Sequence, residues 1–423
     1  MVMIRFRDVL KDRNFFCLWL GQVISNFGDR LNQMALVALV YQRNPGSALA
    51  LAKLISFTII PVFIIGPVAG AWVDRLDKRS VMIISDIMRG LLVLTIPFFI
   101  ITHQILLIYF IVFLVFSISR FFIPSKMAII PDLVSKDKLL VANTLSDTTH
   151  MIGNVVGLVI AGVIVNIPRV GAVGGFYMDA ASFFISASLI ALIAKKGLVA
   201  GVRDDLKISR QVLGVALRRS IVGEMREGFH HLTRYSDMRF VIASFFLLMA
   251  GLGAVSCVII VFVQNAFGTA TRDLGILGVC LVTGLFFGTI IFGRFCQKLP
   301  KRKAILTSFI LTGIAVAAFA LGIARHPHLL IGGIMSAAIG AAVSPIMIAT
   351  NTLTHETIPD AVRGRIFSSL EAVIHLAFMA FMFLTAYLSK YIDSVWILVA
   401  TGAVFAFGGI AGLLAGMRRA TST

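Results

Sequence analysis

Long apolar runs separated by short polar connections dominate this chain. Twelve of the runs are long enough to cross a bilayer as a helix, which takes about 20 residues. Six of them precede one long polar segment and six follow it. The pattern predicts an all-α membrane protein of twelve transmembrane helices in two six-helix halves, with spans at 15–41, 48–73, 80–101, 104–128, 139–166, 172–194, 237–266, 273–296, 303–323, 328–350, 362–389 and 393–416.

The long polar segment sets the expected domain boundaries. We expect an N-terminal six-helix half at 1–194, a cytoplasmic linker with an amphipathic helix at 195–236 and a C-terminal six-helix half at 237–423. Within the linker, Val222, Met225 and Phe229 recur at helical spacing among arginines, which indicates a basic helix on the inner membrane surface. It could be a latch or a passive connector. We favour the connector, because lipid headgroups alone hold such helices.

Composition and charge support this architecture. The 423 residues are 58% hydrophobic and only 14% charged, far too apolar for a soluble protein of this size. Lys and Arg give the chain a formal net charge of +18, but they concentrate before the first run and after the even-numbered runs. The positive-inside rule therefore predicts that both termini are cytoplasmic, and it explains the basic residues without any nucleic acid. The four cysteines have no metal-ligand spacing and are expected to be small helix residues.

The two halves are weakly similar to each other. A shift of 223 residues places Gly28 on Gly251, Gly70 on Gly293 and Gly90 on Gly313, and it places the basic pair Lys78 and Arg79 on Lys301 and Arg302. The acid Asp74 falls on Gln297 and has no copy. Internal repeats of this kind are typical of transporter folds, so we expect two parallel copies of one six-helix unit.

Several motifs resemble those of the major facilitator superfamily, over the whole chain. The stretch Gly70-Ala-Trp-Val-Asp74-Arg75-Leu-Asp77-Lys78-Arg79 is similar to that family's signature between helices 2 and 3, with Asp77 at a position where the family usually has glycine. Other stretches resemble an exporter-type branch that includes macrolide, siderophore and lysophospholipid transporters: 19–29, 131–134, 179–184 and 359–365. Residues 153–162 resemble the helix 5 glycine motif of antiporters, with Leu158 at its usual proline.

The resemblance implies a secondary transporter of the inner membrane. Two halves would rock about a midplane cavity lined by helices 1, 4, 5, 7, 10 and 11, and a monomer would export an amphipathic or lipophilic small molecule without a cofactor. The charged loop and its neighbours would form a conformational latch, comprising Gly70, Asp74, Arg75, Lys78, Arg79, Asp86, Arg89, Arg120 and Asp132. Asp86, Arg89 and Arg120 would serve mainly as structural partners there. Helix 5 would pack closely through Gly153, Gly157 and Gly162.

Charged residues inside predicted spans are the candidates for transport chemistry, because each costs at least a few kcal/mol in lipid unless it has a partner or a watery cavity. On helix 1, Asn26, Asp29, Arg30 and Gln33 fall on one predicted face near mid-membrane. They could contact the substrate or a proton, or they could simply satisfy other helices, and both interpretations stay open. The expected partners are membrane lipid, a small-molecule substrate and a proton or other coupling ion.

Helix 11 offers a second candidate pair, Glu371 and His375, spaced i and i+4 on one face. A carboxyl and an imidazole together can exchange protons, but an internal pair tying two helices together is an equal alternative. For Asp147 and His150 on helix 5 we favour a gate or a structural role. Asp179 is expected near the outer end of helix 6, where it would reach the interface and carry little function.

Enzyme chemistry has no support in the sequence. There is no phosphate-binding loop and no metalloprotease motif, and we expect no metal site. A proton-coupled exporter is the favoured hypothesis, resting on Asp29 and Glu371. A lysophospholipid flippase or a metal-ion exporter of the same fold is the alternative, and a membrane scaffold or a channel belongs to a different class of function.

Overall fold

The structure is a computed structural model that describes residues 6–73, 76–194, 236–295, 299–357 and 363–420. A helix occupies each of the twelve predicted positions, and no strand occurs in these ranges, which confirms the all-α fold class. Nine helices among the described residues are long and apolar enough to cross a membrane. The first helix is not among them, since its polar positions lower its mean hydropathy. The exact number of spans stays a prediction.

The N-terminal helices are α1 (Arg13–Arg43), α2 (Ala48–Ile64, continued by Gly66–Val73), α3 (Lys78–Ile101), α4 (Ile105–Leu133), α5 (Leu139–Val165) and α6 (Gly171–Ala191). A short helix, Phe6–Leu10, precedes α1, and a 3-10 turn, Lys136–Lys138, precedes α5. Helix α2 is interrupted at Ile65, because Pro67 has no N–H with which to continue the ladder.

The C-terminal helices are α7 (Ser236–Phe267), α8 (Arg272–Phe295), α9 (Lys301–Arg325), α10 (Leu329–Thr357), α11 (Arg363–Leu388) and α12 (Ser394–Ala420). The chain forms two compact units, one of Met1–Leu39 with Lys53–Arg218 and one of Val40–Ala52 with Arg219–Thr423. The predicted linker at 195–236 lies almost entirely outside the described residues, so the domain boundaries stay a prediction.

The inner end of α3 is fixed by two local contacts. The Asp77 carboxylate accepts a hydrogen bond from the Ser80 amide at 3.2 Å and caps the helix. The Arg79 guanidinium donates to the carbonyls of Ile190 and Ala191 at the end of α6, where the helix dipole favours a cation. Asp77 at the glycine position of the motif therefore serves as a helix cap.

Glycine contacts show that the two units use the same helix pairing. A Cβ on Gly28 of α1 would lie 2.0 Å from the Ser182 hydroxyl of α6, and one on Gly251 of α7 would lie 2.0 Å from the Phe405 ring of α12. Ser182 and Phe405 are themselves 223 residues apart. The repeat seen in the sequence is therefore a repeat of packing: α1 meets α6 as α7 meets α12.

The pair α3 and α6 has its copy in α9 and α12. A Cβ on Gly90 would meet the ring of Phe184, and one on Gly313 would meet the Gly402 carbonyl at 2.2 Å. Small residues let helices approach closely in lipid, where burial of apolar surface gives no driving force.

Helix α8 provides a matched test of this packing. A Cβ on Gly284 would lie 1.9 Å from the backbone carbonyl oxygen of Ala337 on α10, whereas one on Gly293 would have no atom of the described residues within 4 Å. We expect Gly284→Ala to lower stability by about 1 to 3 kcal/mol through overpacking. Gly293→Ala, the control, is expected to be neutral or slightly stabilising, since alanine is the better helix former. Thermal unfolding in detergent measures both, and equal melting temperatures would contradict the close approach.

Candidate functional site: buried charges and a polar face in the N-terminal half

An ion pair lies buried at the middle of α3. The Arg89 guanidinium contacts the Asp86 carboxylate one turn earlier, and their side chains are 5% and 0% exposed. The guanidinium also lies 4.6 Å from the centre of the Phe122 ring and 4.3 Å from that of Phe183, and it donates to the Ser119 hydroxyl at 3.4 Å. Helices α3, α4 and α6 thus meet around one cation, with cation–π contacts as well as the ion pair.

A second carboxyl, Asp179, lies fully buried on α6 at 0% exposure. Its Oδ2 accepts a hydrogen bond from the Asn32 side-chain amide of α1 at 2.6 Å. Its Oδ1 has no hydrogen-bond partner among the described residues. The Ser182 hydroxyl, one turn along α6, donates to the backbone carbonyl of Asp179 at 2.7 Å.

The expectation that Asp179 reaches the interface is wrong. Asp29, Arg89 and Asp179 each lie within about 6 Å of the midpoint of their helices, at the helical rise of 1.5 Å per residue. Asp179 also points inward, at the place where Gly28 lets α1 approach α6: a Cβ on Gly28 would lie 2.6 Å from Asp179 Oδ1. The spacing of Gly28 and Asn32, one turn apart on α1, was the signal in the sequence that could have located this contact.

The side chains of the polar stripe predicted on α1 point in two different directions. Asp29 lies within electrostatic range of Arg89 on α3 and also of His150 on α5. Arg30 turns towards α5, where its Cγ would lie 2.9 Å from a Cβ on Gly157. Consecutive helical residues are about 100° apart, which separates the two side chains. Asn26 is buried, whereas Gln33 is exposed and accepts a hydrogen bond from Arg30 Nη1 at 2.6 Å.

A polar face extends from Arg30 over α4 and α5, and we define it as Arg30, Gln33, Lys126, Asp147, His150 and Asn154. His150 lies within electrostatic range of Arg30, Lys126 and Asp147. Its Nε2 is 3.1 Å from the Asn154 amide nitrogen. The face therefore carries two cations, one carboxylate and an imidazole, and Asp29 connects it to the buried charges behind α1.

Three residues assigned to the latch lie too deep for that role. Along their helices, Asp86 and Arg89 are about 12 and 16 Å from the N-terminal end of α3, and Arg120 is about 20 Å from the C-terminal end of α4. Pairing of Asp86 with Arg89, one of the two alternatives that the i and i+3 spacing offered, is present. Of the remaining latch residues, Lys78 and Arg79 begin α3, Gly70 lies in the second segment of α2, and Asp132 is exposed at the end of α4. Asp74 and Arg75 lie outside the described residues.

The predicted packing glycines of α5 differ among themselves. Gly157 meets Arg30, and Gly162 is buried, but a Cβ on Gly153 would have no described atom within 4 Å, so close packing at Gly153 is not present. On α11, His375 is half-buried, and the side chain of Glu371 lies outside the described part of the chain. Among the described residues, no three His, Cys, Asp or Glu side chains are placed to hold a metal ion.

The C-terminal unit shows what the same scaffold looks like without these charges. At the 223-residue shift, the buried polar residues of the N-terminal unit correspond to apolar or small neutral ones: Asp29 to Leu252, Asn32 to Val255, Asp86 to Phe309, Arg89 to Thr312 and Asp179 to Gly402. Phe309 and Phe405 are in ring contact there, with centroids 5.6 Å apart, and belong to a buried hydrophobic cluster. The helix pairing therefore does not require the ionic network.

Comparison with known families identifies the class of protein to which this chain belongs. A family model described as a transmembrane secretion effector, within the major facilitator superfamily, matches residues 8–423. The chain belongs to the major facilitator superfamily. This confirms the resemblance seen in the motifs, and it makes the chain a multi-pass membrane transporter of an efflux-type family.

Individual relatives agree with this assignment. Macrolide efflux protein A of Streptococcus pyogenes is 21% identical over 374 residues, which make up 88% of each chain. Multidrug efflux pump Tap of Mycolicibacterium fortuitum is 24% identical over 357 residues, or 83% of each chain. A solved structure of a bacterial homologue of the iron transporter ferroportin, in an inward-facing state, gives a TM-score of 0.67 at 13% identity and covers 95% of this chain and 98% of that one. That likeness shows the fold alone.

The ion pair of this superfamily member can be tested by a double-mutant cycle. Arg89→Gln leaves Asp86 buried without a cation, and we expect a loss of about 3 to 5 kcal/mol in stability. Adding Asp86→Asn removes the stranded charge, so the double variant is expected to recover part of the loss. Thermal unfolding in detergent at one pH measures the cycle. Strictly additive losses would contradict a direct pair.

Proposed function

We propose that this transporter exports an amphipathic or lipophilic small molecule by alternating access, in exchange for protons, across the inner membrane with both termini in the cytoplasm. The efflux family and the named relatives support the direction and the general class of cargo. The substrate itself and the coupling ion go beyond them. Proton coupling requires an internal carboxyl that lies within electrostatic range of a polar face. Asp29 of the N-terminal unit is such a carboxyl.

The position of Asp29 is the observation that carries the proposal. It lies at the middle of α1, half-buried, within electrostatic range of the buried Arg89 on one side and of Arg30 and His150 on the other. A proton gained or lost at Asp29 therefore changes the field at the polar face. Intramembrane ionisable residues with such partners mark ion and substrate pathways in transport proteins.

Reconstitution with chosen probes tests the function. Purified protein in liposomes would be given an imposed pH gradient and one probe at a time: ethidium, erythromycin, a lysophosphatidylethanolamine or Fe²⁺. We expect gradient-driven accumulation of ethidium or erythromycin. Movement of the lysophospholipid without a gradient would favour the flippase alternative, and movement of Fe²⁺ alone would favour a metal exporter. No movement of any probe would contradict the export proposal.

The role of Asp29 has its own variant and control. Asp29→Asn cannot take up a proton, so we expect it to abolish gradient-driven accumulation in inverted vesicles while the protein is still produced and folded. Asp137→Asn, in the exposed turn before α5, is the matched control and is expected to transport normally. The same loss is expected for Glu371→Gln from the sequence. Unchanged transport in Asp29→Asn would remove this residue from the mechanism.

A further inference from the structure

Among the described residues of the N-terminal unit, the fully buried charged side chains are two carboxyls, Asp86 and Asp179, and one guanidinium, Arg89. Asp29, Asp86 and Asp179 gather around the interfaces of α1, α3 and α6, where Arg89 is the buried guanidinium. Arg89 is in contact with Asp86 and is enclosed by two aromatic rings. It is therefore committed to one carboxylate, which leaves the other two to be accounted for.

Of these two carboxyls, Asp179 has the poorer surroundings for a negative charge. It is fully buried, its Oδ2 accepts a hydrogen bond from the neutral amide of Asn32, and its Oδ1 is without a partner among the described residues. No described cation lies within ion-pair distance of it, and Asp29 repels it. Burial of an unpaired carboxylate costs several kcal/mol, and a bound proton removes that cost.

A purely structural role would not explain why these groups are charged at all. The C-terminal copy keeps the α1–α6 type of contact with Val255 and Gly402 at the positions of Asn32 and Asp179. A scaffold that packs with neutral residues in one copy has no need of a buried acid in the other. The acid adds chemistry, and a buried carboxyl whose Oδ1 has no hydrogen-bond partner among the described residues can supply it by binding a proton.

We propose that Asp179, held by Asn32 behind α1, is a proton-carrying residue of the transport cycle and exchanges its proton with Asp29. This inference rests on the proposed proton-coupled export. In the exchange, the O–H bond at Asp179 breaks and one at Asp29 forms, so the pair keeps a single negative charge throughout. Asn32 then donates its hydrogen bond to the Asp179 carboxylate.

Each element packed around this pair contributes a group that influences the exchange. Helix α1 contributes Arg30 beside Asp29, α3 contributes Asp86 and Arg89, and α5 contributes His150. Arg89 lies within electrostatic range of both carboxyls of the pair, although its ion-pair contact is with Asp86. The path from Asp179 to the polar face therefore runs through Asp29 and requires no other carboxyl.

Infrared spectroscopy and transport test the proposal together on the full chain. A protonated carboxyl has a carbonyl band that an ionised one lacks. We expect wild-type protein to show such a band and Asp179→Asn to lose it. In liposomes, Asp179→Asn is expected to lose pH-driven accumulation of ethidium completely while downhill ethidium movement persists. Asp86→Asn, which alters a paired carboxyl of the same cluster, is the control and is expected to keep the band while melting at a lower temperature.

The outcomes separate this inference from the function on which it rests. If wild-type protein moves no ethidium or erythromycin under a gradient, the export proposal fails first. If wild-type transport is driven by the gradient and Asp179→Asn retains it, or retains the band, the role of Asp179 is overturned. Should Asp179→Asn not fold, Asn32→Leu leaves the acid in place without its donor, and the pH at which the band disappears is then expected to move. An unmoved band would contradict the assignment.

Discussion

The cost of charge in the middle of a membrane-spanning unit is the constraint on which the N-terminal half depends. The positive charge of Arg89 is stabilised by the Asp86 carboxylate, two aromatic rings and a hydroxyl, and these groups belong to three helices. Those contacts in turn require α3, α4 and α6 to be close, and Gly90 allows the approach of α3 to α6. Charge neutralisation in this half therefore depends on close helix packing, whereas the helix pairing itself recurs in the C-terminal copy without these charges.

The internal repeat separates what the scaffold needs from what the charges add. Both copies join their first and sixth helices, and their third and sixth, at glycine contacts related by the same shift. One copy fills the space between them with ions and amides and the other with aromatic and aliphatic side chains. Since close packing of small residues suffices for helix association in lipid, the ionic filling is a property of one half's chemistry and not of the fold.

Hydropathy predicted the helices because membrane spans are defined by composition over about 20 residues, and the shift predicted the repeat. Side-chain direction was harder to predict. Asp29 and Arg30 are adjacent in sequence yet about 100° apart around α1, so a stripe drawn on one helix could not show that they serve different neighbours. Asp179 was misplaced for the same reason, since its depth and its contact with Asn32 depend on how α6 is rotated against α1. Arg89 was expected to pair with Asp86 or with the charged loop, and it pairs with Asp86, but its contacts with Phe122 and Phe183 come from helices distant in sequence and were not predicted.

Asp29 and Arg30 point in different directions from adjacent positions on α1. The proposed coupling between a proton at Asp29 and the polar face therefore has a short physical route. A unit change of charge at Asp29 alters the energy of another charge about 10 Å away by about 1.7 kcal/mol at an effective dielectric constant of about 20. A tenfold change in an equilibrium needs about 1.4 kcal/mol, so one proton can change the occupancy of the polar face by more than that factor. Arg30 and His150 lie within electrostatic range of Asp29. In the proposed coupling, no long chain of conformational changes links the proton to the polar face, because the carboxyl proposed to exchange the proton and the cation on the polar face are consecutive residues of one helix.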